Sequence, residues 1–582
     1  MKTTITAALT ILAGLALAVV PAGPSSAATS FTFYGGGYGH GLGMSQWGTY
    51  GLARAGWSHQ EILTHYYSGT EVGPVEGPKT LRIGLLQGAG RVTLEAEAGP
   101  VELRQDGPAG PLLASIPAGQ RWTVEASATS FRILGAAGAT GATGPAAAEI
   151  ATSSSPKIAV RYKPLGSRVR IAESGHAYAR GYLQLALSAP CDGCAPVIRA
   201  VAILAPQAYL YGLGEVPSSW PMEALEAQAD AARSYAFNMV ARAGQHRAGC
   251  DCALYGDPRD QVYVGYDKEA GTDGRRWVRA VDATRGEVVL SGGQPIPAFY
   301  SASSGGYTED NENVWGGTPL PYLRGVCDPG DYTSANPYRT WVVGPLSAAT
   351  VTSRLRPWTG DIGTVTRFGR TVRGVSGRIE TVVVEGSSGS ATITGSELRS
   401  GIGLRDDRVW INSDRLVRGP IRSAYDRLMC APGLPEGPQV RLEGGARQRF
   451  AQGAIYVNAA RHLTVWLSGP VQEAYVEAGQ AGGALGLPAS AVVRLTEGPG
   501  CDTQVCDRAL FEHGRIYFKA STGAWPLFGR VLEFFLAHDG VLGRLGFPTS
   551  GVSTAPDGGT SAAFEGGVVT CPPAGRCTRT AA

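Results

Sequence analysis

Tyr211-Gly-Leu-Gly-Glu-Val-Pro-Ser-Ser-Trp-Pro-Met-Glu-Ala-Leu-Glu-Ala-Gln-Ala-Asp-Ala-Ala-Arg-Ser-Tyr-Ala236 is the stretch around which the chain organises itself. Its second half is dense in Ala, Leu, Glu and Met, the strong helix formers. Pro221 suits a first helical position, where its missing N–H leaves nothing unpaired. Leu225, Ala229, Ala232, Ala236 and Met239 recur at helical spacing and predict one buried stripe on a long helix over 221–240. The first half is a glycine turn with a single carboxylate, Glu215. Beside Val216, Pro217 and Trp220 that carboxyl is open to desolvation, which raises its pKa toward general-acid use. A Glu ahead of a helix also serves simply to complement the dipole. Glu223, Glu226, Gln228, Asp230 and Arg233 read as mostly solvated or structural positions on the helix.

Working outward, short apolar runs at 81–86, 92–95, 158–187 and 197–204 predict strands, and residues 286–341 read as strand and loop. Gly135, Gly138, Gly141 and Gly144 recur every third residue, too few triplets for collagen, and predict a flexible loop or linker. After residue 416 the character changes. Gly433-Leu-Pro435, Gly486-Leu-Pro488 and Gly546-Phe-Pro548 recur at spacings of 53 and 60, trailed by Phe450, Phe511 and Phe564. Helix-like segments at 421–428, 471–475 and 531–536 lie between them, which predicts a modular array. The fold class expected is α+β: a β-rich domain with one main long helix, then a small α/β-turn repeat array.

The 82 glycines and 37 prolines among 582 residues exclude a coiled coil, and a net charge of +3 gives no reason to expect nucleic acid as a partner. Lys2, an uncharged apolar run over 5–20 and the small-residue site Ser26-Ala27-Ala28 read as a signal peptide over 1–28. No later run predicts a transmembrane segment, so the expected product is secreted, extracellular or held in the cell wall. Ten cysteines fit that compartment: Cys191/Cys194, Cys250/Cys252, Cys501/Cys506 and Cys571/Cys577 form close pairs, leaving Cys327 and Cys430. Zinc is the competing use of such pairs, but no second Cys or His pair sits at matching spacing. Local disulfide staples are therefore expected, with the pairing of Cys250 left open because a Cys-x-Cys bridge is tight.

Two further constellations carry polar chemistry. Tyr300-Ser-Ala-Ser303-Ser304-Gly-Gly-Tyr-Thr308-Glu309 places hydroxyls among glycines, which suits sugar binding or an oxyanion site, or else a turn-rich hairpin. No Gly-x-Ser-x-Gly elbow supports a serine nucleophile. Gly35-Gly-Gly-Tyr-Gly-His40-Gly-Leu-Gly-Met-Ser45-Gln46-Trp-Gly48 has glycines on alternate positions, a sign of close backbone approach. A dinucleotide loop is excluded by the missing βαβ context. His40 alone reads first as structural.

Taken together, these blocks resemble the SpoIID/LytB family of bacterial sporulation and cell-wall proteins. The segment from Tyr211 to Ala236, Asp260-Gln-Val-Tyr-Val-Gly265, Phe299 to Thr308, Trp315-Gly316 with Pro321-Tyr-Leu323, and Thr394-Gly-Ser-Glu-Leu-Arg399 carry the likeness. It covers most of residues 31–412. The Gly-His-Gly-x-Gly-Met-Ser-Gln block, placed near the domain's end in the family, here opens the expected mature chain over 35–70, as in a circular permutation. Residues 416–582 resemble LGFP repeats of actinobacterial wall proteins through Gly486-Leu-Pro488 and Leu545-Gly-Phe-Pro548.

The resemblance implies a domain over 29–415 acting as a peptidoglycan lytic transglycosylase, with Glu215 as the catalytic carboxyl. It implies Gln228, Arg233, Ser303, Ser304, Thr308, His40, Ser45 and Gln46 as substrate-binding candidates. Glycan strands would be the substrate, a wall amidase a possible partner, and an envelope polymer the ligand of the repeats. Some family members hold zinc just before the Gln-Val-Tyr element; Arg259 and Asp260 stand there instead, so neither metal nor cofactor is expected. The alternatives are a non-catalytic amidase enhancer and an envelope-tethered adhesion protein.

Overall fold

A computed structural model describes residues 30–127, 129–135, 148–162, 166–189, 191, 193–428 and 430–581. The expected leader and most of the glycine-triplet segment lie outside them. Two sheets face each other across the first half, antiparallel except where the edge strand Leu254–Tyr255 runs parallel to Leu81–Ala89. One, of six strands, runs from Glu149–Ser153 through Arg91–Ala98 to His176–Tyr178. The other, of seven, has Leu81–Ala89, Val197–Leu204 and Tyr182–Ser188 adjacent, with Lys157–Arg161 beyond. Alternate residues point inward: Val92, Leu94 and Ala96 on one strand meet Val101, Leu103 and Val160 from the other sheet in one core.

That core continues into the long helix, Met222–Ala243. Pro221 is its N-cap and not its first residue, with extended backbone (φ −53°, ψ 147°). Leu225, Ala229, Ala232 and Ala236 are buried as the periodicity predicts, but so are Ala227, Gln228, Asp230 and Arg233. The helix is enclosed on nearly every side because Gln46–Arg54, His59–Tyr66 and Gly271–Ala283 all pack on it. Those three helices are short or rich in Gly and polar residues, which hides their periodicity.

The strand Ser30–Gly35 pairs with both Trp341–Ser347 and Val409–Ile411, with Phe33 opposite Val343 on one side and Ile411 on the other, so residues 33 and 411 lie side by side in one sheet. A second small sheet, Val365–Arg373, Ile379–Gly386 and Ser390–Thr394, is covered by Ala348–Thr359 and Gly395–Ile402. Both sheet and loop fill 286–341 as expected, with two added helical turns, Asn311–Trp315 and the tighter Gly330–Tyr332.

From residue 419 three units repeat: helices Gly419–Arg427, Gly469–Glu477 and Gly529–Ala537, each followed by a four-stranded sheet. The sequence recurrence has a structural counterpart, since Pro435, Pro488 and Pro548 make the same bridge to Phe450, Phe511 and Phe564. Successive units share cores, as where Tyr456 and Tyr475 meet Phe511 and Ile516. The first unit is also fastened to the preceding domain. Tyr332, Ile421, Tyr425 and Phe450 share one cluster, and Cys327 is bonded to Cys430 across 103 residues. The other eight cysteines pair locally, Cys191–Cys194, Cys250–Cys252, Cys501–Cys506 and Cys571–Cys577. No helix among the described residues is long and apolar enough to cross a membrane.

Candidate functional site

Backbone pairing draws the three motif blocks together. Met44–Ser45 runs parallel to Tyr300–Ser301, Tyr38 bridges Ser303, and Leu213 bridges Tyr263. Glycines make that approach possible. Gly43 sits at φ +61°, and a Cβ there would strike the Phe299 carbonyl and the Tyr67 ring. Gly41 at φ +74° lies against the buried Arg378 guanidinium. L-residues resist both the dihedral and the space.

Between the blocks opens a cleft of about 560 Å³ lined by Glu215, His40, Gln46, Tyr235, Tyr300 and Trp315, among others. Glu215 follows directly on the Leu213–Tyr263 bridge, and its Oε1 accepts the Val262 N–H at 2.6 Å. One oxygen is thereby fixed to the backbone. Burial pushes the carboxyl above the ordinary glutamate range; the Val262 N–H, the Tyr300 hydroxyl, the Gln46 amide and the Lys268 ammonium pull it down without cancelling that rise. Lys268, lodged under Val216 O and over the Trp277 ring, is itself lowered to about 8 by burial.

A buried relay holds the roof of the cleft. The Tyr209 hydroxyl donates to Gln261 Oε1 at 2.9 Å, and Gln261 Nε2 donates to the Tyr300 hydroxyl at 2.9 Å. With its oxygen occupied in this way, Tyr300 turns its own proton toward Glu215. From the other side Gln46 Nε2 donates to Gln228 Oε1 at 3.2 Å, so Gln228 positions Gln46 from beneath the surface. The second carboxylate in the lining is Asp260. Its Oδ1 accepts from Tyr235 at 2.8 Å, and its Oδ2 from Arg247 at 2.6 Å and from the Tyr255 N–H at 2.8 Å. Both oxygens are committed.

One wall is aromatic. His40, Phe299 and Trp315 form a contiguous group, with ring centroids 5.1 Å apart for His40–Trp315 and 4.7 Å for Phe299–Trp315. Trp315 remains 53% exposed and Tyr38 41% exposed. Amphipathic rings presented to solvent beside a polar cleft suit the mixed faces of a sugar. His40 is neutral, since burial and the neighbouring Arg378 charge lower its pKa to about 4. Its Nδ1 accepts the Leu42 N–H at 3.0 Å, which leaves the ring proton on Nε2.

Of the residues expected at the site, Glu215, His40 and Gln46 line the cleft, and Gln228 lies directly behind it. The others do not line it. Ser45 and Ser303 both donate to the buried Asp331 at 2.9 Å, and Ser304 donates to the buried Asp328 at 2.6 Å. These hydroxyls satisfy two carboxylates that burial pushes up, Asp331 to about 7. Thr308 pairs with the Val326 backbone. Arg233 is held by Asp230 at 2.7 Å and the Glu287 carbonyl at 2.6 Å. The hydroxyl cluster is thus the buttress of the Gly35–Gly48 block. Tyr38, Tyr235, Tyr300, Arg259 and Arg399 line the cleft without having been singled out. Tyr300 and Arg399 fall inside the motif segments, whereas Tyr235 is indistinguishable from core on a helix this buried.

The family described as Stage II sporulation protein, SpoIID, matches residues 197–290. The amidase enhancer of Bacillus subtilis (strain 168) is 37% identical over 117 residues, 20% of this chain and 14% of that protein. The stage II sporulation protein D of the same organism is 27% identical over 210 residues, 34% of this chain and 57% of that protein. An uncharacterized protein of Brachyspira hyodysenteriae is 39% identical over 115 residues, 19% and 28% of the two chains. The chain therefore spans between 14% and 57% of the length of these three relatives. The segment that holds Glu215, the long helix and Gln261 is the segment in which this chain is similar to the SpoIID domain family.

Proposed function

We propose that the chain is a secreted cell-wall protein that cleaves peptidoglycan glycan strands by lytic transglycosylation. The observation that carries this reading is a single half-buried carboxyl, Glu215, raised by burial and facing an aromatic-walled cleft whose other carboxylate is fully engaged. Protonated Glu215 gives its proton to the oxygen linking N-acetylmuramic acid to N-acetylglucosamine, and the C1–O bond breaks. The muramoyl C6 oxygen closes on C1, and its proton passes to the Glu215 carboxylate, forming a 1,6-anhydro end and restoring the acid. Water is not consumed, so no second carboxylate is needed to activate it, unlike the paired carboxylates of hydrolysis. Val262 N–H fixes one oxygen of Glu215, while Tyr300 and Gln46 orient the group. The three C-terminal units, LGFP-like in sequence, attach the enzyme to an envelope polymer.

A second reading is favoured by the relative named an amidase enhancer: the domain binds the wall or an amidase, and Glu215 is incidental. The two separate on one experiment. Purified protein and Glu215→Gln are incubated with glycan strands, intact and stripped of stem peptides, and separately with walls plus a wall amidase. Transglycosylation predicts 1,6-anhydro ends with wild type only. Equal stimulation of the amidase by both proteins, with no anhydro ends from either, would establish the enhancer instead.

A further inference from the structure

Away from the cleft, on the opposite flank of the long helix, His59 is ringed by carboxylates from two other parts of the chain. It is the first residue of helix His59–Tyr66. Glu223, Glu226 and Asp230 come from Met222–Ala243, and Glu287 from the strand Glu287–Ser291. The two ring nitrogens are used differently. Nδ1 stands 3.1 Å from Glu223 Oε2 and 3.3 Å from Glu226 Oε2, while the His59 backbone N–H donates to Glu223 at 2.7 Å. Those contacts place a proton on Nδ1. Nε2 looks the other way, 3.3 Å from Glu287 Oε2 and 3.9 Å from Asp230 Oδ2.

Asp230 supplies the independent sign of a ligand. Its side chain is fully buried, its Oδ1 is held by Arg233, and its Oδ2, aimed at Nε2, has no hydrogen-bond partner. A buried oxygen left unpaired is costly unless something occupies the space before it. The three atoms His59 Nε2, Asp230 Oδ2 and Glu287 Oε2 all lie within 4.8 Å of one another. Tetrahedral zinc, with bonds of about 2.0–2.1 Å, needs its ligand atoms roughly 3.3 Å apart, which small side-chain rotations supply.

We propose that His59 Nε2, Asp230 Oδ2 and Glu287 Oε2 bind a divalent transition-metal ion, zinc by their chemistry. One imidazole nitrogen with two carboxylates suits zinc better than calcium, which takes oxygen ligands. Glu223 and Glu226, accepting the Nδ1 proton, are the carboxylate partners that orient a ligating histidine and raise its basicity. The ion offsets a cluster in which four carboxylates face one guanidinium, Arg233. It also clips the block containing Gly35–Gly48 to the long helix and to residue 287, three segments remote in sequence. The competing occupant is a second proton on the imidazole, which those carboxylates favour up to about pH 9.

The test uses the full mature chain without a histidine tag, stripped with a chelator and titrated with zinc chloride by calorimetry in two buffers of different ionisation heat. Manganese and calcium chloride are run alongside. The expected result is one equivalent of zinc, release of about one proton on binding, and calcium binding at least tenfold weaker. His59→Gln and Glu287→Gln, both at partly exposed positions and checked for native circular dichroism, should lose that equivalent. Glu223→Gln should retain it with about 10–100-fold weaker affinity. Wild-type zinc binding no tighter than that of His59→Gln would overturn the proposal and leave the proton as occupant.

Discussion

Gln261→Leu isolates the relay that connects the core to the Glu215 carboxyl. Gln261 is wholly buried, and leucine occupies nearly the same volume. The substitution strands the Tyr209 hydroxyl, also fully buried, whose one hydrogen-bond partner among the described residues is Gln261. An orphaned buried hydroxyl costs about 1–3 kcal/mol, and the bond lost to Tyr300 adds about 1 kcal/mol more. The contact to the Ala232 carbonyl, at 3.3 Å, is long and that carbonyl keeps its helical partner, so it adds little. The expected destabilisation is about 2–4 kcal/mol, a fall of roughly 2–5 °C in the midpoint of thermal unfolding of a domain this large. Tyr209→Phe in the same background removes the stranded hydroxyl and should recover about 1–2 kcal/mol, a coupling read from the double-mutant cycle. Gln261→Leu also frees Tyr300 from its donor, weakens its hold on Glu215 and lets burial raise that carboxyl further. The alkaline limb of the pH–rate profile for anhydro product should then move to higher pH. No recovery in the double variant together with an unmoved limb would refute the relay.

Other consequences follow from single contacts. Lys268→Met removes a cation that lowers Glu215; the proposed transglycosylation uses the acid form, so the alkaline limb of the rate profile should shift upward, and a downward shift would contradict the assignment. Asp331 is raised by burial to about 7 from an ordinary 3.8, so the folded state holds more protons in that window and its stability should fall as pH rises through it. Comparing wild type with Asp331→Asn by chemical denaturation from pH 4 to 8 should show a shallower fall in the variant. Cys327→Ser with Cys430→Ser opens the longest disulfide loop and should cost about 2–4 kcal/mol, more than any of the four local pairs, as read by thermal unfolding. Deletion after residue 416, made with Cys327→Ser to avoid a stray thiol, should reduce sedimentation with cell walls if the repeats tether the protein.

Much of the fold was legible where the pattern was local. The strands at 81–89 and 197–204 alternate or run apolar because each faces a core, and the long helix announces itself in composition. The repeats show themselves through Pro and Phe because each pair makes a backbone bridge. The short helices around the long one were hidden, since Gln46–Arg54 and Gly271–Ala283 carry glycines that lower helical propensity. In the site, Glu215 and Gln46 stood out through the motifs that carry them. The serines did not sort themselves: Ser45, Ser303 and Ser304 look like sugar ligands in sequence, and only three-dimensional packing reveals Asp328 and Asp331 behind them. Those aspartates lie about 25 residues downstream in a loop without periodicity. The His59 cluster was invisible for the same reason, drawing on positions 59, 223–230 and 287.

In the proposed transglycosylation Glu215 serves alone, with the substrate's own hydroxyl as nucleophile. Digestion of glycan strands in water enriched in oxygen-18, followed by mass spectrometry of the new ends, tests it directly. Transglycosylation predicts 1,6-anhydro ends carrying no heavy oxygen, formed by the wild type and lost in Glu215→Gln. Reducing ends that carry oxygen-18, or equal product from both proteins, would contradict it.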